Sequence, residues 1–317
     1  MPSSACDRGD RSLLGRTPAA TAAPLSPPIL GEEDGPHGRR ATVRLPGTCG
    51  EWVQGTLDGV PCLVSCAIDW WAEATVHVGT AGRPNAPHDA PKAVAALRLA
   101  LTAAGVPAAD VRLVLRNPLP RGRGYASSTA DVAGAIYTAG AALGRPFAPD
   151  EVARLAVQVE PSDSTIFPGP TLFAHRDAGF YRPLPPLPPL AVVILDPGGA
   201  VDTLAFNAAD HTAALRKLAP GHRDAFGRFE AGLAAGDPVE VAQAAALSAR
   251  LHQAILPDEL VDAALACYAH LGALGLCRAH SGTLVGLICR PEEAAEVAQR
   301  AMARFRGVKV RTCRCVG

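Results

Sequence analysis

A glycine-rich loop, Pro120-Arg-Gly-Arg-Gly-Tyr-Ala-Ser-Ser-Thr-Ala130, joins two segments of different periodicity. Before it, residues 111–116 alternate in a way that predicts a strand. After it, residues 127–143 are mostly Ala, Val, Ile and Leu, which predicts a buried helix. Pro118 and Pro120 cannot continue a central strand because proline lacks the amide donor. The chain must therefore pass from sheet to helix through this loop.

The composition of this loop suits it to phosphate. Gly122 and Gly124 leave room for backbone amides to approach an anion. Ser127 and Ser128 bring hydroxyls to the helix start, where unpaired amides and the helix dipole favour negative charge, and two arginines of the loop add positive charge. The loop is neither a Walker sequence nor a dinucleotide-binding fingerprint. The alternative is an ordinary glycine turn with a serine helix cap, but the full strand–loop–helix string favours phosphate binding.

Charge and hydropathy narrow the class of ligand. The chain carries 30 basic and 30 acidic side chains, so no basic excess draws it to nucleic acid or to an acidic membrane. No apolar run approaches the ~18 residues that span a bilayer, and charges between Asp7 and Arg11 interrupt any export signal. Nine cysteines without a CxxC pair indicate a reduced, cytoplasmic protein. We therefore expect a small-molecule ligand and no nucleic-acid or membrane partner, and a homodimer stays open.

A proline cluster, Pro183 to Pro189, divides the chain into two predicted domains, 41–188 and 189–317. Residues 1–40 show no hydrophobic period and predict a disordered tail, with order beginning at the strand Ala41–Leu45. The second domain follows the split β-α-β order of ferredoxin-like domains. Other predicted elements are strands near 60–66, 71–78, 191–195, 275–280, 283–289 and 307–312, and helices over about 91–104, 149–159 and 208–272 and from Pro291.

Two further segments accompany the loop, Pro46-Gly-Thr-Cys-Gly-Glu51 and Ala279-His-Ser-Gly282. With Pro-x-x-x-Gly-x-x-Ser-Ser-x-Ala they resemble the motifs of the GHMP kinases, named for galacto-, homoserine, mevalonate and phosphomevalonate kinases, over about residues 41–317. The resemblance implies an α+β, two-domain GHMP kinase fold, with an N-terminal domain like ribosomal protein S5 domain 2 and a ferredoxin-like C-terminal domain. In detail the sequence is similar to the L-threonine kinases of cobalamin biosynthesis. Four strings carry this similarity: Cys49-Gly-Glu-Trp-Val-Gln-Gly55, Ala126-Ser-Ser-Thr-Ala-Asp131, Glu160-Pro-Ser-Asp-Ser-Thr-Ile-Phe167 and Ala279–Gly282.

The same resemblance implies the reaction and the cofactors. ATP and Mg²⁺ would serve the phosphorylation of L-threonine to O-phospho-L-threonine, for the linker of the cobalamin nucleotide loop. Ser128 and Glu160 would hold the magnesium, a hard ion that uses few protein oxygens. The alternative for Glu160 is a solvated carboxylate at a helix end. The resemblance assigns the nucleotide to Pro120, Gly122, Arg123, Gly124, Ala126, Ser127, Ser128 and Thr129.

Asp163 is the predicted catalytic acid–base residue, acting together with Ser128. A carboxylate in a Ser-Asp-Ser turn can take the proton of an attacking hydroxyl, and an Asx turn is the alternative. Thr48 and Cys49 occupy the stretch where several superfamily members have a lysine, so Arg44 or Arg121 would have to supply that charge.

An amino-acid acceptor presents an ammonium, a carboxylate and a hydroxyl. Glu51 would pair with the ammonium, and the predicted substrate-binding residues are Glu51, Gln54, Asp163, Thr165, His280 and Ser281. His280 alone reads equally as a buried histidine that bonds the backbone. Other acceptors (homoserine, serine or a mevalonate-like acid), a GHMP-fold sensor without catalysis, and an S5-like RNA-binding protein are the alternatives; intact Ser128 and Asp163 disfavour the sensor, and zero net charge disfavours the last.

Overall fold

A computed structural model of the protein describes residues 29–35, 38–79, 89–199 and 211–317 and contains both strands and helices. The strands are β1 (Ile29–Gly35), β2 (Gly38–Leu57), β3 (Val60–Val78), β4 (Val111–Arg116), β5 (Thr171–Phe173), β6 (Tyr181–Pro183), β7 (Ala191–Asp196), β8 (Gly275–Arg278), β9 (Val285–Cys289) and β10 (Lys309–Arg314). The α-helices are α1 (Pro91–Ala103), α2 (Ser127–Ala142), α3 (Pro149–Ala156), α4 (Thr212–Ala235), α5 (Pro238–His252), α6 (Glu259–Cys267) and α7 (Ala294–Arg304).

One antiparallel hairpin forms the centre of the sheet. β2 and β3 pair along almost their whole length through a turn at Asp58 and Gly59, both of which have positive φ. β3 joins the two strands predicted at 60–66 and 71–78. The β2–β3 register shifts between Pro46 and Gly47 and on both sides of Glu51. Such irregularities bend a strand and redirect its side chains, and they coincide with the first sequence motif.

The second half has the topology predicted from the order of its elements. Its strands lie in the order β10-β7-β9-β8, and every neighbouring pair is antiparallel. In chain order that is fourth, first, third, second, the arrangement of the split β-α-β fold. β8 continues the sheet into the first half through the pair Arg278–Glu51. Strands from both sides of the proline cluster thus belong to one sheet. The division into two domains near residues 183–189 stays a prediction.

Helices cover the sheet and bring the glycine loop to its position. α2 packs on both β2 and β3, and its Gly134 permits this because a Cβ there would lie 2.8 Å from that of Ala74. α1 packs beside α2, while α4 and α5 pack on β2. Within the described ranges, no helix is both long enough and apolar enough to cross a bilayer.

Strands extend upstream of the boundary predicted for the N-terminal tail. β1 pairs antiparallel with β2, and β2 itself begins at Gly38, so ordered chain precedes Ala41. Backbone pairing to a sheet edge does not require a hydrophobic period, which is why the composition of this segment concealed it. Residues 1–28 of the predicted tail lie outside the described residues.

Candidate active site

The glycine-rich loop has the backbone conformation that its residues allow. Gly122 and Gly124 have φ of +72° and +103°, and Ala126 has φ of +57°. α2 begins at Ser127, and Ala126 caps it without a side-chain hydrogen bond. The serine cap considered as an alternative is therefore not formed. Both serines lie inside the first turn of the helix, and their hydroxyls are left for other partners.

The three sequence motifs meet at this loop. Thr48 donates a hydrogen bond through its hydroxyl to the Gly124 carbonyl at 2.8 Å. The Thr283 amide, just after the third motif, donates to the Arg123 carbonyl at 3.0 Å. A Cβ on Gly124 would lie 2.4 Å from that of Ala279, and one on Gly282 would lie 2.2 Å from the Arg123 oxygen. Glycine is thus required at both positions because the loops approach so closely.

A cavity of about 540 Å³ opens beside the loop. One group of its lining residues is Gly122, Gly124 and Ala126–Thr129, with Lys92 and Glu160. A second group is Glu51, Asp163, His175, His280 and Ser281. From the roles that the motifs predict, we call the first group the phosphate end and the second the acceptor end. Ser128, Glu160, Glu51 and Asp163, which the motifs predict to act together, therefore line one cavity.

Ser128 and Glu160 are in contact, as the resemblance implied. The Ser128 hydroxyl donates to one oxygen of Glu160, and Lys92 forms an ion pair with the other. A hydroxyl and a carboxylate are hard oxygen donors that suit Mg²⁺, which takes its remaining ligands from phosphates and water. Among the described residues there is no group of three or more His, Cys, Asp or Glu side chains able to hold a metal. The donor set therefore fits magnesium held jointly with a phosphate chain and does not fit a site made by protein alone.

Lys92 is a cation of the cavity that no sequence motif singled out, and it pairs with Glu160 and not with Asp163. It lines the cavity from the first turn of α1. Arg44 instead lies over the Trp71 ring, and Arg121 is paired with Asp131 at 3.6 Å. A lysine in the first turn of a helix opposes the helix dipole. This unfavourable placement can be read from the sequence, and it indicates a role for Lys92 other than stabilising the helix.

Asp163 is half-buried at the acceptor end and hydrogen-bonded to α2. The Thr129 hydroxyl donates to Asp163 Oδ2 at 2.7 Å, and the Asp163 amide donates to the same hydroxyl at 3.2 Å. Asp163 precedes a 3₁₀ turn, Ser164–Ile166, but its side chain makes no cap hydrogen bond to it. The Asx turn considered as an alternative is therefore not formed, and the carboxylate faces the cavity.

Glu51 and Asp163 form a carboxyl pair in which Glu51 is buried and Asp163 is half-buried. Burial raises the pKa of Glu51 well above its ordinary value, and the neighbouring Asp163 raises it further. Burial also raises the pKa of Asp163, whereas hydrogen bonds from Thr129 and Glu51 oppose that shift. Two carboxyls in contact cannot both ionise easily. The shift is larger for Glu51, because Asp163 adds to it, so Glu51 is the carboxyl of the pair that holds its proton more readily.

Glu51→Gln is expected to raise the melting temperature at pH 8 by at least ~2 °C, the shift that ~1 kcal/mol gives a chain of this size. A carboxyl with a raised pKa in the folded state binds its proton more tightly there than in the unfolded chain. The folded protein therefore loses stability as pH rises above the pKa of that carboxyl in the unfolded chain, near 4.3. Glutamine keeps the donor to Asp163 without that cost.

Melting curves between pH 4 and pH 8 measure this effect. The gain is expected to shrink toward zero at pH 4, and the exposed Glu292→Gln should show no such pH dependence. A gain that is equal at both ends of the range would contradict a buried, protonated Glu51.

Four predicted site residues lie away from the cavity. Arg123 turns its guanidinium to Asp196, 3.0 Å away. Pro120 does not line the cavity, and Thr165 lines a separate cavity of about 280 Å³. Gln54 lies behind the acceptor end, where its Oε1 is 2.6 Å from His280 Nδ1. These residues cannot contact a ligand in this cavity directly.

His280 is neutral and held in place. Burial lowers its pKa to about 3, helped by the charges of Arg176 and Arg278. Gln54 binds one of its ring nitrogens, and Gln54 Nε2 in turn donates to the Arg278 carbonyl at 3.4 Å. His175, which no sequence motif singled out, also lines the acceptor end and follows the short apolar strand β5.

Comparisons with known proteins identify the family and the fold. Residues 91–168 match the family described as GHMP kinases N terminal domain, and residues 229–308 match GHMP kinases C terminal. An L-threonine kinase of Salmonella typhimurium is 31% identical over 251 residues, covering 78% of this chain and 82% of that protein. An L-threonine kinase of Citrobacter freundii is 32% identical over 251 residues, covering 78% and 86%. The crystal structure of a homoserine kinase from Cytophaga hutchinsonii superposes with a TM-score of 0.66 at 16% identity, covering 87% of this chain and 94% of that one.

Proposed function

Because the chain belongs to the GHMP kinases and is an ATP-dependent kinase, we propose that its acceptor is L-threonine and its product O-phospho-L-threonine. The observation that carries this proposal is the Glu51–Asp163 pair in the cavity beside the phosphate loop. The pair offers one carboxylate for a hydroxyl and a second carboxyl for an ammonium. The two L-threonine kinases at 31% and 32% identity support the same acceptor. A role in making the cobalamin linker follows from this product.

Asp163 performs the proton transfer in the proposed mechanism. It accepts the proton of the substrate hydroxyl as the oxygen bonds to the γ-phosphorus and the bond from that phosphorus to the leaving ADP oxygen breaks. Thr129 orients the carboxylate through its 2.7 Å hydrogen bond. Gly122 and Gly124 let the loop backbone surround the phosphate chain. Magnesium, when bound, supplies charge neutralisation on the phosphate oxygens, and Ser128 and Glu160 would hold it.

Two further charged side chains have roles in the proposed mechanism, Lys92 at the phosphate end and Glu51 at the acceptor end. Lys92 lies beside Glu160 and would neutralise charge that develops on the transferred phosphoryl group. A substrate ammonium would favour the ionised form of Glu51 and pair with it. Glu51 is only 3% exposed, so that ion pair would form out of water. We further propose that the enzyme works in the reducing cytoplasm, since all eight described cysteines are free thiols.

A panel of acceptors with ATP, scored by ADP release, tests the substrate. L-threonine is expected to be preferred to L-serine only modestly, because one methyl in an apolar pocket gives roughly 1–3 kcal/mol. Mevalonate lacks the ammonium and leaves Glu51 unpaired, so we expect much stronger discrimination against it. The hydroxyl of homoserine is one carbon further from its ammonium than that of threonine. Its turnover therefore tests whether the spacing between Glu51 and Asp163 admits the longer acceptor. Turnover of mevalonate equal to that of threonine would reject the amino-acid acceptor, and no turnover of any acceptor would favour the sensor.

Glu51→Gln is expected to raise the KM for L-threonine by about ten- to a hundredfold while the KM for ATP stays unchanged. The reason is the loss of a charge-assisted contact worth about 1.5–3 kcal/mol. Steady-state kinetics with each substrate varied in turn measure both constants. Equal effects on the two KM values would show that Glu51 does not bind the acceptor.

A further inference from the structure

His175 is buried against the acceptor end with neither ring nitrogen in a hydrogen bond. Its side chain is 4% exposed. Within the described part of the chain, Glu51 Oε2 is the other buried side-chain atom of this cavity that lacks a partner. Each unsatisfied group of this kind costs about 1–3 kcal/mol. Two of them facing one cavity indicate a ligand that carries the complementary groups.

The backbone fixes His175 beside the reacting carboxylate. The His175 carbonyl accepts a hydrogen bond at 3.0 Å from the amide of Ser162, the residue before Asp163. The His175 ring packs edge-on against the His280 ring, with centroids 5.0 Å apart. Gln54 holds His280 by the hydrogen bond described above. His175 is thus positioned by its own backbone and by a neighbour that cannot move freely.

The chemistry of His175 suits an anionic acceptor group at this end. Burial lowers the pKa of His175 well below its ordinary value, with His280 and Arg176 acting in the same direction, so the ring is neutral. A neutral imidazole donates from one nitrogen and accepts at the other. Among the described residues, the cations that line this cavity are Lys92 and Arg121, and each is paired with a carboxylate. Neutral donors such as the His175 ring are therefore left to bind an anion at the acceptor end.

We propose that His175 is a specificity-determining residue, which donates its ring N–H to the α-carboxylate of the acceptor while Glu51 receives the ammonium. This inference rests on the proposed function, because it takes the acceptor to be an amino acid. Asp163 then faces the hydroxyl, so three groups of the acceptor meet three different side chains. An amino alcohol without the carboxylate leaves His175 unsatisfied and is a poorer substrate.

Two acceptors that differ only by the carboxylate test His175, namely L-threonine and (R)-1-amino-2-propanol. For the wild-type enzyme with saturating ATP, kcat/KM is expected to favour threonine by at least ~10-fold, the factor given by ~1.4 kcal/mol. His175→Phe keeps a ring without an N–H and is expected to remove that preference by raising the KM for threonine. The KM for ATP and the kinetics with the amino alcohol should stay essentially unchanged. His175→Asn, which retains an N–H donor, should recover part of the preference.

An equal loss with both acceptors, or an unchanged preference, would overturn the assignment of His175. The methyl ester of L-threonine gives a second test, which needs no variant. Equal kcat/KM for the ester and the free amino acid with wild-type enzyme would also overturn the assignment of His175. If the enzyme phosphorylates homoserine and not threonine, the proposed acceptor is wrong, but homoserine and 3-amino-1-propanol then test His175 in the same way. Turnover confined to acceptors without a carboxylate overturns both proposals.

Discussion

Asp163→Asn is expected to lower kcat by about 10²- to 10⁴-fold, the range attributed to a positioned general base. Asparagine keeps the shape of the side chain and can still bond Thr129, but it cannot take the proton of the acceptor hydroxyl. Because positioning and charge neutralisation contribute most of phosphoryl-transfer catalysis, some turnover should remain. ATP binding should survive, since Asp163 lies at the acceptor end. Single-turnover measurement of phosphoryl transfer reports the chemical step directly.

Asp177→Asn is the matched control for this variant. Asp177 caps an exposed turn by accepting from the Gly179 amide at 2.8 Å, and it does not line the cavity. The same carboxyl-to-amide change there should leave kcat near the wild-type value. If Asp163→Asn retained more than about a tenth of wild-type kcat in the chemical step, Asp163 would have to be reassigned from base to positioning residue.

Ser128→Ala is expected to lower turnover at least ~100-fold with little loss of stability, because one contact to magnesium and phosphate disappears from the transition state. The hydroxyl lies in the first turn of α2 and contacts Glu160. It makes no cap hydrogen bond, so the helix does not depend on it. A magnesium titration at saturating ATP should show a raised metal requirement, since Glu160 alone would remain of the two proposed magnesium ligands.

Thr138→Ala removes a hydroxyl from the same helix away from the cavity. Thr138 donates to the Gly134 carbonyl at 2.6 Å, within α2. Its loss should change stability slightly and turnover not at all. Ser128→Ala with near-normal turnover at saturating magnesium would mean that the phosphate loop has been assigned to the wrong role.

Local sequence determined the loop and most of the elements around it. The predicted strand at 111–116 and helices near 91–104 and 127–143 agree with β4, α1 and α2 within a residue or two. Glycine at 122 and 124 specified positive φ, because other residues rarely adopt it. The split β-α-β order of the second half also followed from the succession of elements. These features depend on neighbours along the chain, so hydrophobic period and turn residues carry the information.

The tertiary structure alone decided which side chains face the cavity. Glu51 lies between two register shifts, so the alternation of β2 does not tell which face it occupies. Thr165 follows Asp163 by two residues yet lines a different cavity, and Arg123 turns from the loop to Asp196, 73 residues further along the chain. Lys92 and His175 reach the site from α1 and the end of β5 without any motif. Their roles depend on burial and on partners brought together by folding, and the spacing of residues in the sequence contains neither.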